Sequence, residues 1–189
     1  MEIILNLLIL FLGYLFGSFP SGYLAGKIAK GIDIRSLGSG STGATNVLRH
    51  IGKRAAITVF LLDVFKGVIS ILLAKYFLLN DSWQVAIGLS TLIGHIWPVW
   101  LNWRGGKAVA TGLGIFLGLS WQVGLATLGV FILMITLFRI VSLASVSAAL
   151  ALPFIMFISF KTSSISLPFL VISLLAMTLV IWRHRENIL

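Results

Sequence analysis

Long apolar runs separated by short polar stretches fill the chain from end to end. A helix that crosses a membrane needs about 20 mostly apolar residues. Five runs meet that requirement directly, and we predict membrane spans over residues 3–25, 55–79, 83–101, 141–160 and 165–182. The longest polar interruption, residues 27–54, separates the first span from the second.

The apolar run 108–138 is too long for one span, since a single helix would extend about 46 Å across a hydrocarbon core of about 30 Å. Gly118, Ser120 and Gln122 interrupt the run. We therefore predict two short helices joined by an outer turn, which gives an all-α membrane protein of about seven transmembrane helices. One unbroken helix would instead give six spans and reverse the orientation of everything after it.

Composition agrees with this assignment, because 59% of the 189 residues are hydrophobic and only 10% are charged. Such values exclude an ordinary water-soluble domain and a disordered chain. The spans leave no room for a separate soluble domain, so we expect residues 1–189 to form a single polytopic membrane domain. The first run is too long for the core of a signal peptide and is expected to stay as a helix. With no cysteine, disulfides and thiolate chemistry are excluded.

The distribution of charge predicts the orientation of the chain. It has 14 basic and 5 acidic residues, which gives a net charge of +9. The seven-helix path brings eleven basic residues to one side, namely residues 27, 30, 35, 49, 53, 54, 104, 107, 139, 183 and 185. The positive-inside rule makes that side cytoplasmic, with the N-terminus outside and the C-terminus inside. The excess also indicates anionic ligands, anionic lipid headgroups, or both.

Gly38, Gly40 and Gly43 match the spacing G-x-G-x-x-G, but a dinucleotide site is rejected. That fingerprint needs a preceding strand, and Asp63, at the spacing of its acidic partner, lies inside an apolar span. A Walker A loop is rejected as well, because Ala44 replaces its lysine.

Two interpretations of this Gly-rich loop remain open. Its glycines let successive backbone amides converge on an oxyanion, a helix starting near Asn46 would add its dipole, and Arg49, Lys53 and Arg54 follow. Alternatively, it is a flexible surface loop without a ligand. We favour the anion site because charged donors follow so closely.

A second polar cluster runs from Gly94 to Thr111. Pro98 is expected to kink the third helix close to its cytoplasmic end, and Gly105 and Gly106 between Arg104 and Lys107 would let the backbone approach a phosphate. A cationic surface loop is the alternative.

Other polar residues give weaker signals. Ser142 and Ser145 share a helix face after Arg139, although serines in membrane helices commonly bond only to their own backbone. Asp63 and Lys66 are spaced to neutralise each other. The three histidines lie far apart, no H-x-x-x-x-D or H-E-x-x-H pattern occurs, and no metal site is predicted.

Taken together, these motifs resemble one family, the bacterial acyl-phosphate:glycerol-3-phosphate acyltransferases, PlsY. The matching segments are GSGSTGATN, GHIWPVWLNWRGGKAVAT, SLAS and the terminal RHRENI, which fall in order along almost the whole chain. Ser41 and Arg104 depart from the family pattern, which usually has Asn and Lys there. The resemblance implies a seven-helix membrane enzyme with its motifs on the cytoplasmic side of the bacterial inner membrane.

The resemblance implies transfer of a fatty acyl group from acyl phosphate to the sn-1 hydroxyl of glycerol 3-phosphate, giving lysophosphatidic acid and phosphate. It implies no cofactor, no metal and no nucleic acid. Partners would be the two substrates, membrane lipids and, as a candidate, the enzyme that makes acyl phosphate. A small phosphate or organic-anion carrier and a non-catalytic lipid-binding protein remain the alternatives.

Site residues follow from the same resemblance. Residues expected to act in catalysis are Ser39, Lys107, Ser145 and His184. Residues expected to bind substrate are Gly38, Gly40, Gly43, Thr45, Asn46, Arg49, Arg104, Gly105, Gly106, Ser142 and Asn187. A phosphate oxygen of the donor would accept the hydroxyl proton, and His95 is the rival candidate base.

Overall fold

The computed structural model describes residues 2–162 and 165–188, with side chains up to Glu186 at the C-terminal end. These residues form nine α-helices and no strand. The helices are α1 Glu2–Ser18, α2 Ser21–Lys30, α3 Ala44–His50, α4 Lys53–Tyr76, α5 Asp81–Ile96, α6 Val109–Leu119, α7 Trp121–Phe138, α8 Val141–Thr162 and α9 Leu167–Ile188. Short 3-10 helices at Ile34–Ser36 and Val99–Leu101 lie in the loops.

Six apolar segments within the described residues are long enough to cross a membrane: Glu2–Lys30, Lys53–Tyr76, Asp81–Leu101, Trp121–Phe138, Val141–Thr162 and Leu167–Glu186. The helix α6 is apolar but shorter, with 11 residues and a length of about 16 Å. An all-helical membrane fold is therefore confirmed, with one of the predicted seven helices reaching only about half the hydrocarbon thickness.

The long apolar run breaks where the sequence predicts. Ser120 is extended, with φ −148° and ψ 103°, and it separates α6 from α7. The alternative of one unbroken fourth helix is therefore wrong. Lys75 hydrogen-bonds to the backbone at this break: its Nζ donates to the carbonyl oxygen of Gly118 at 2.6 Å and to that of Leu119 at 3.2 Å. These carbonyls end α6 and have no partner within the helix.

The first span contains a break that the sequence analysis missed. Residues 3–25 were predicted as one helix, but α1 ends at Ser18 and α2 begins at Ser21. Pro20 explains the break, since proline lacks an amide hydrogen and disfavours helical geometry in the residue before it. The Nζ of Lys66 donates to the carbonyl oxygen of Phe19 at 3.3 Å.

Two other helix ends also differ in detail from the prediction. The helix α5 stops at Ile96, two residues before Pro98, instead of bending at the proline and continuing to Leu101. The last helix continues beyond the predicted end at Trp182 to Ile188. His184 therefore lies on a helix instead of in a terminal tail.

Helices meet backbone to backbone at glycines. A Cβ on Gly17 would collide with the Thr91 carbonyl, and one on Gly114 would collide with that of Val64. The first contact joins α1 to α5 and the second joins α6 to α4. Small residues allow such close approach in membranes. By contrast, α7 packs on α6 and α8 and exposes most of its surface.

The loops that carry the predicted motifs contact each other at one end of the helix bundle, which we call the loop end. Arg35 binds both carboxylate oxygens of Asp33, and its Nη1 donates to the Leu101 carbonyl at 2.6 Å. The hydrogen bond from Arg35 is the main reason that the pKa of Asp33 lies below its ordinary value. This contact joins the loop before α3 to the loop before α6.

We predict that Lys75→Met lowers the stability of the folded chain by about 1–2 kcal/mol, because two carbonyls at the end of α6 lose their charged donor. Thermal unfolding in detergent measures the effect. Lys161→Met is the matched control, since this lysine near the end of α8 stacks only on the Phe157 ring among its recorded contacts. Equal losses in both variants would contradict the proposed role of Lys75.

Candidate active site

A cavity of about 330 Å³ opens at the loop end. Its wall combines the Gly-rich loop and the first turn of α3, the loop before α6, and the turn between α7 and α8. Phe60 and Asp63 of α4, Phe131 of α7, and single side chains from α5 and α9 complete it. The polar residues that line it are Ser39, Ser41, Thr45, Asn46, Arg49, Asp63, His95, Lys107, Arg139, Ser142, Ser145 and His184.

Three helices begin at this wall: α3 at Ala44, α6 at Val109 and α8 at Val141. Gly43 and Ala108, which precede α3 and α6, provide no side-chain cap. The first amides of a helix have no partner within it, and the helix dipole adds positive potential there. The amino ends of these helices therefore favour an anionic ligand in the cavity.

Cationic side chains strengthen that preference. Arg49, Lys107 and Arg139 line the cavity, and its one lining carboxylate among the described residues, Asp63, is paired with Lys66 at 2.8 Å. The predicted neutralisation of Asp63 by Lys66 is thus confirmed. Oxyanions with more than one negative charge, such as phosphate monoesters, match a wall of this kind.

Burial is the main reason that the pKa of Lys107 lies below the ordinary lysine value of 10.5. Arg183 and Arg49 lower the pKa further by repulsion, whereas Glu186 raises it. The cavity therefore holds a crowded cationic group whose charge a bound anion would stabilise.

Asn46 lines the cavity, yet its side chain is used by the protein itself. Its Nδ2 lies 3.0 Å from the carbonyl oxygens of Ile34 and Leu37 and 2.9 Å from that of Ser41, while its Oδ1 accepts from the Ser39 amide. The recorded hydrogen bonds of this side chain thus lie within the protein, and its contact with substrate stays a prediction. Asn46 shapes the Gly-rich loop.

Gly38 and Gly40 also shape that loop. Both have positive φ values, 54° and 63°, which favour glycine. Neither belongs to the wall of the main cavity, although Gly40 borders a small polar pocket of about 40 Å³ together with Ser39, Lys107 and Arg183. Gly43 lies on the main wall, directly before α3.

Gly105 and Gly106 do not offer their amides to a ligand. The Gly105 amide donates to the Ile96 carbonyl at 3.0 Å, and the Gly106 amide donates to the His95 carbonyl at 3.0 Å. A Cβ on Gly106 would collide with the His95 ring. The predicted phosphate contacts of these glycines are therefore replaced by close packing against the end of α5.

Arg104 is exposed and lies outside the recorded cavities, so the structure does not bring it to the predicted site. Asn187 lies in the last turn of α9, and its side chain falls outside the described residues.

His184 and His95 both reach the cavity wall but differ in their surroundings. His184 Nδ1 donates to the Val180 carbonyl at 2.8 Å, so a neutral ring has its free lone pair on Nε2. His95 Nδ1 lies 3.2 Å from Thr111 Oγ1, and its Nε2 packs against Gly106. His95 Nε2 thus lies beside Gly106, and the ring also lines the cavity.

The two serines after Arg139 reach the site on the first turns of α8. Ser142 and Ser145 line the cavity, as their shared helix face predicts. Ser145 Oγ donates to the Val141 carbonyl at 2.8 Å, the bond to the helix's own backbone that the alternative interpretation expected. Its oxygen keeps acceptor capacity towards the cavity.

Sequence reasoning did not include Arg139 and Asp63 among the site residues. Arg139 served only to assign topology, although its position just before the two serines was the available signal. Asp63 was treated as half of an ion pair, because linear spacing shows its partner in the helix and not the cavity beside it.

An apolar groove of about 80 Å³ adjoins the polar cavity. Phe60, Phe131 and Ser145 belong to both walls. The groove continues between α6, α7, α8 and α9, lined by side chains such as Leu113 and Leu152. A polar anion site and an apolar channel therefore meet directly. Among the described residues, no group of three or more His, Asp or Glu side chains could hold a metal ion.

The family model described as "Glycerol-3-phosphate acyltransferase" matches residues 7–189. The chain belongs to the glycerol-3-phosphate acyltransferase family. Family membership confirms the resemblance drawn from the motifs and assigns the chain an acyltransferase activity on glycerol 3-phosphate.

Named relatives agree with the family. A glycerol-3-phosphate acyltransferase of Prochlorococcus marinus (strain NATL2A) is 90% identical over 184 residues, which is 97% of this chain and 93% of the relative. One from Synechococcus sp. (strain CC9902) is 62% identical over 183 residues, covering 97% of this chain and 90% of the relative.

The fold of this chain also matches solved structures of the family. A crystal structure of PlsY (YgiH), an integral membrane glycerol 3-phosphate acyltransferase in its glycerol 3-phosphate form, has a TM-score of 0.87 at 36% identity and covers 97% of this chain and 90% of its own. The lysophosphatidic acid form has a TM-score of 0.88 at 36% identity, covering 97% and 89%. This acyltransferase is accordingly an integral membrane protein.

We predict that Arg139→Gln raises the KM for glycerol 3-phosphate about tenfold, because a charged donor is lost from the cavity wall of the acyltransferase. Arg104→Gln is the comparison, since it removes the same charge from an exposed position outside the cavity, and its KM should change less than about twofold. Steady-state kinetics with purified variants measure both values. A larger effect at Arg104 would contradict the arrangement described here.

The lowered pKa of Lys107 predicts a pH effect on substrate binding. As pH rises from about 7 to 10, Lys107 loses its proton before an ordinary lysine would, so the KM for glycerol 3-phosphate should rise. The substrate phosphate is already a dianion over this range, with a second pKa of about 6. Lys107→Arg keeps its charge and should flatten this alkaline rise. An identical rise in both proteins would show that another group titrates.

Proposed function

We propose that this chain transfers a fatty acyl group from acyl phosphate to the sn-1 hydroxyl of glycerol 3-phosphate. The carbon–oxygen bond to the donor phosphate breaks, a new ester bond forms, and inorganic phosphate leaves with the hydroxyl proton. The observation that carries this proposal is the direct junction of a cationic cavity with an apolar groove.

The cationic part of the cavity supports the presence of two phosphate groups. Arg49, Lys107 and Arg139 share one wall with the amino ends of α3, α6 and α8. One phosphate belongs to glycerol 3-phosphate and the other to the donor. Three cations beside three helix ends supply more positive potential than a single phosphate requires.

The apolar groove supports a lipid-like donor. Its lining side chains come from membrane helices, and the outermost of them, α7, exposes most of its surface. A long acyl chain gains about 0.8 kcal/mol for each buried CH₂ relative to water. We assign the groove to the acyl chain and the Gly-rich loop with the starts of α3 and α6 to the donor phosphate.

The acceptor would lie towards α9. In this assignment Arg49 and Lys107 hold the phosphate of glycerol 3-phosphate, while Ser145 and His184 orient its hydroxyl groups. Asn187 and Ser142 complete the expected set. Ser39 and Thr45 belong to the donor side.

Proton transfer needs no strong protein base in this proposal. Acyl phosphate is a reactive mixed anhydride, so orientation and charge stabilisation provide most of the catalysis. A phosphate oxygen of the donor accepts the proton as the hydroxyl attacks. His95 also lines the cavity and stays the rival base, so a His95→Ala variant that folds and binds both substrates but loses turnover would overturn this route.

Palmitoyl phosphate and radiolabelled glycerol 3-phosphate, added to the protein in proteoliposomes, test the reaction. We expect equal amounts of lysophosphatidic acid and phosphate, with Lys107→Ala inactive. Acyl-CoA and acyl-carrier protein serve as competing donors, and product from either without acyl phosphate would overturn the donor assignment. Accumulation of labelled substrate without product lipid would instead indicate an anion carrier.

The proposal also places the loop end in the cytoplasm and the chain in the inner membrane, where an enzyme that makes acyl phosphate would supply the donor. Because the chain has no cysteine, single introduced cysteines report orientation without background. We predict that an impermeant maleimide labels Ser82→Cys in intact cells deprived of their outer membrane. Ser36→Cys, also exposed but at the loop end, should react only after permeabilisation. The reverse pattern would invert the topology.

A further inference from the structure

Asp63 is a buried carboxylate at the junction of three helices, and neither substrate assignment uses it. Only 1% of the residue is exposed. Its Oδ1 accepts a hydrogen bond from Ser21 Oγ at 2.7 Å and pairs with Lys66 Nζ at 2.8 Å. The same oxygen lies 3.8 Å from His95 Nδ1. One atom thus connects α2, α4 and α5.

The first connection leads to the Gly-rich loop. Ser21 opens α2, and the next residue, Gly22, lies so close to the Thr42 carbonyl that an added Cβ would collide with it. Thr42 belongs to the loop that leads into α3. The position of Ser21 therefore determines where this part of the loop can lie.

Lys66 reinforces that connection from the opposite side. Its Nζ donates to the Phe19 carbonyl at 3.3 Å while it pairs with Asp63. Phe19 is the last residue before Pro20, at the break between α1 and α2. The ion pair therefore adds a charged donor at a helix break whose Phe19 carbonyl also accepts from the Ser21 amide at 3.0 Å.

The second connection leads to the loop that carries Lys107. His95 Nδ1 lies 3.2 Å from Thr111 Oγ1 and 3.8 Å from Asp63 Oδ1, the latter a packing contact beyond hydrogen-bond distance. Its Nε2 side lies so close to Gly106 that an added Cβ would collide with the ring, and the Gly106 amide donates to the His95 carbonyl at 3.0 Å. The position of the ring therefore limits where Gly106 and the adjacent Lys107 can lie.

We propose that Asp63 is a positioning residue that holds the Gly-rich loop and the Lys107 loop at the separation the substrates require. It acts through Ser21 on one loop and through His95 on the other. Its own charge is balanced by Lys66, so it lies beside an anion cavity without repelling the ligand. The binding of both phosphates then depends on a carboxylate that contacts neither of them.

Ser21→Ala tests the first connection without changing charge. Ser70→Ala is the matched control, because Ser70 is equally buried and donates only within α4, to Lys66 and Gly67 carbonyls, among its recorded bonds. We expect Ser21→Ala to raise the KM for glycerol 3-phosphate about fivefold, while Ser70→Ala leaves it unchanged. Ser21→Ala should also lower the thermal midpoint, because a buried carboxylate loses a donor. Simple loss of folded enzyme would lower the maximal rate without changing KM.

A double variant distinguishes an effect on the position of the loops from an effect on folding stability. Asp63→Asn alone leaves a buried lysine unbalanced and is expected to unfold at lower temperature. Asp63→Leu with Lys66→Met removes both charges and the acceptor together, which is often neutral for stability. We expect its thermal midpoint to return towards that of the wild type while the KM stays raised. Wild-type KM and rate in this double variant, or matching kinetics for Ser21→Ala and Ser70→Ala, would overturn the proposal.

In these experiments, only the choice of acyl donor for the kinetic assay depends on the proposed function. Equilibrium binding of radiolabelled glycerol 3-phosphate to each purified variant provides a second measurement that needs no donor. A wild type that binds glycerol 3-phosphate but does not consume palmitoyl phosphate would refute the donor assignment alone. Unchanged glycerol 3-phosphate binding in Ser21→Ala and the double variant would refute the role of Asp63 alone.

Discussion

A helix that ends inside a membrane leaves carbonyl groups that water cannot reach, and this constraint governs the rest of the molecule. At two of the helix breaks within the described spans, a lysine donates to backbone carbonyl groups. Lys66 binds the Phe19 carbonyl between α1 and α2, and Lys75 binds the carbonyls that end α6. Once these carbonyls are satisfied, helices can stop where the site needs their amino ends, and α6 can begin at the cavity without spanning the full hydrocarbon core.

Site chemistry in this enzyme relies on backbone more than on reactive side chains. The amino ends of three helices and three cations surround the cavity, and Asp63, the one carboxylate that lines it among the described residues, is neutralised. Such an arrangement binds and orients phosphate groups, and it stabilises charge that shifts during acyl transfer. In the proposed reaction the donor carries a good leaving group, so a strong general base is unnecessary.

Length and charge predicted the fold well because a bilayer limits the possible structures. The break near Ser120 followed from the excess length of one apolar run, whereas α5 stops before Pro98 instead of bending there. The break at Pro20 was missed because residues 3–25 are long enough for one ordinary span. Motifs identified most of the cavity residues but not their partners: Asn46 and Gly106 belong to the right segments, yet their polar groups bind the protein's own backbone. Those hydrogen bonds depend on how the loops pack against each other. The spacing of residues along the sequence carries no information about that packing.

The shared wall of the groove and the cavity also affects how the rate should be expressed. A donor that enters between α6, α7 and α8 arrives by lateral diffusion in the bilayer, so its effective concentration is a mole fraction among lipids. Added bulk lipid would slow the enzyme by surface dilution even at constant volume, whereas glycerol 3-phosphate would follow ordinary solution kinetics. The two substrates of one reaction would thus obey different concentration scales, one two-dimensional and one three-dimensional.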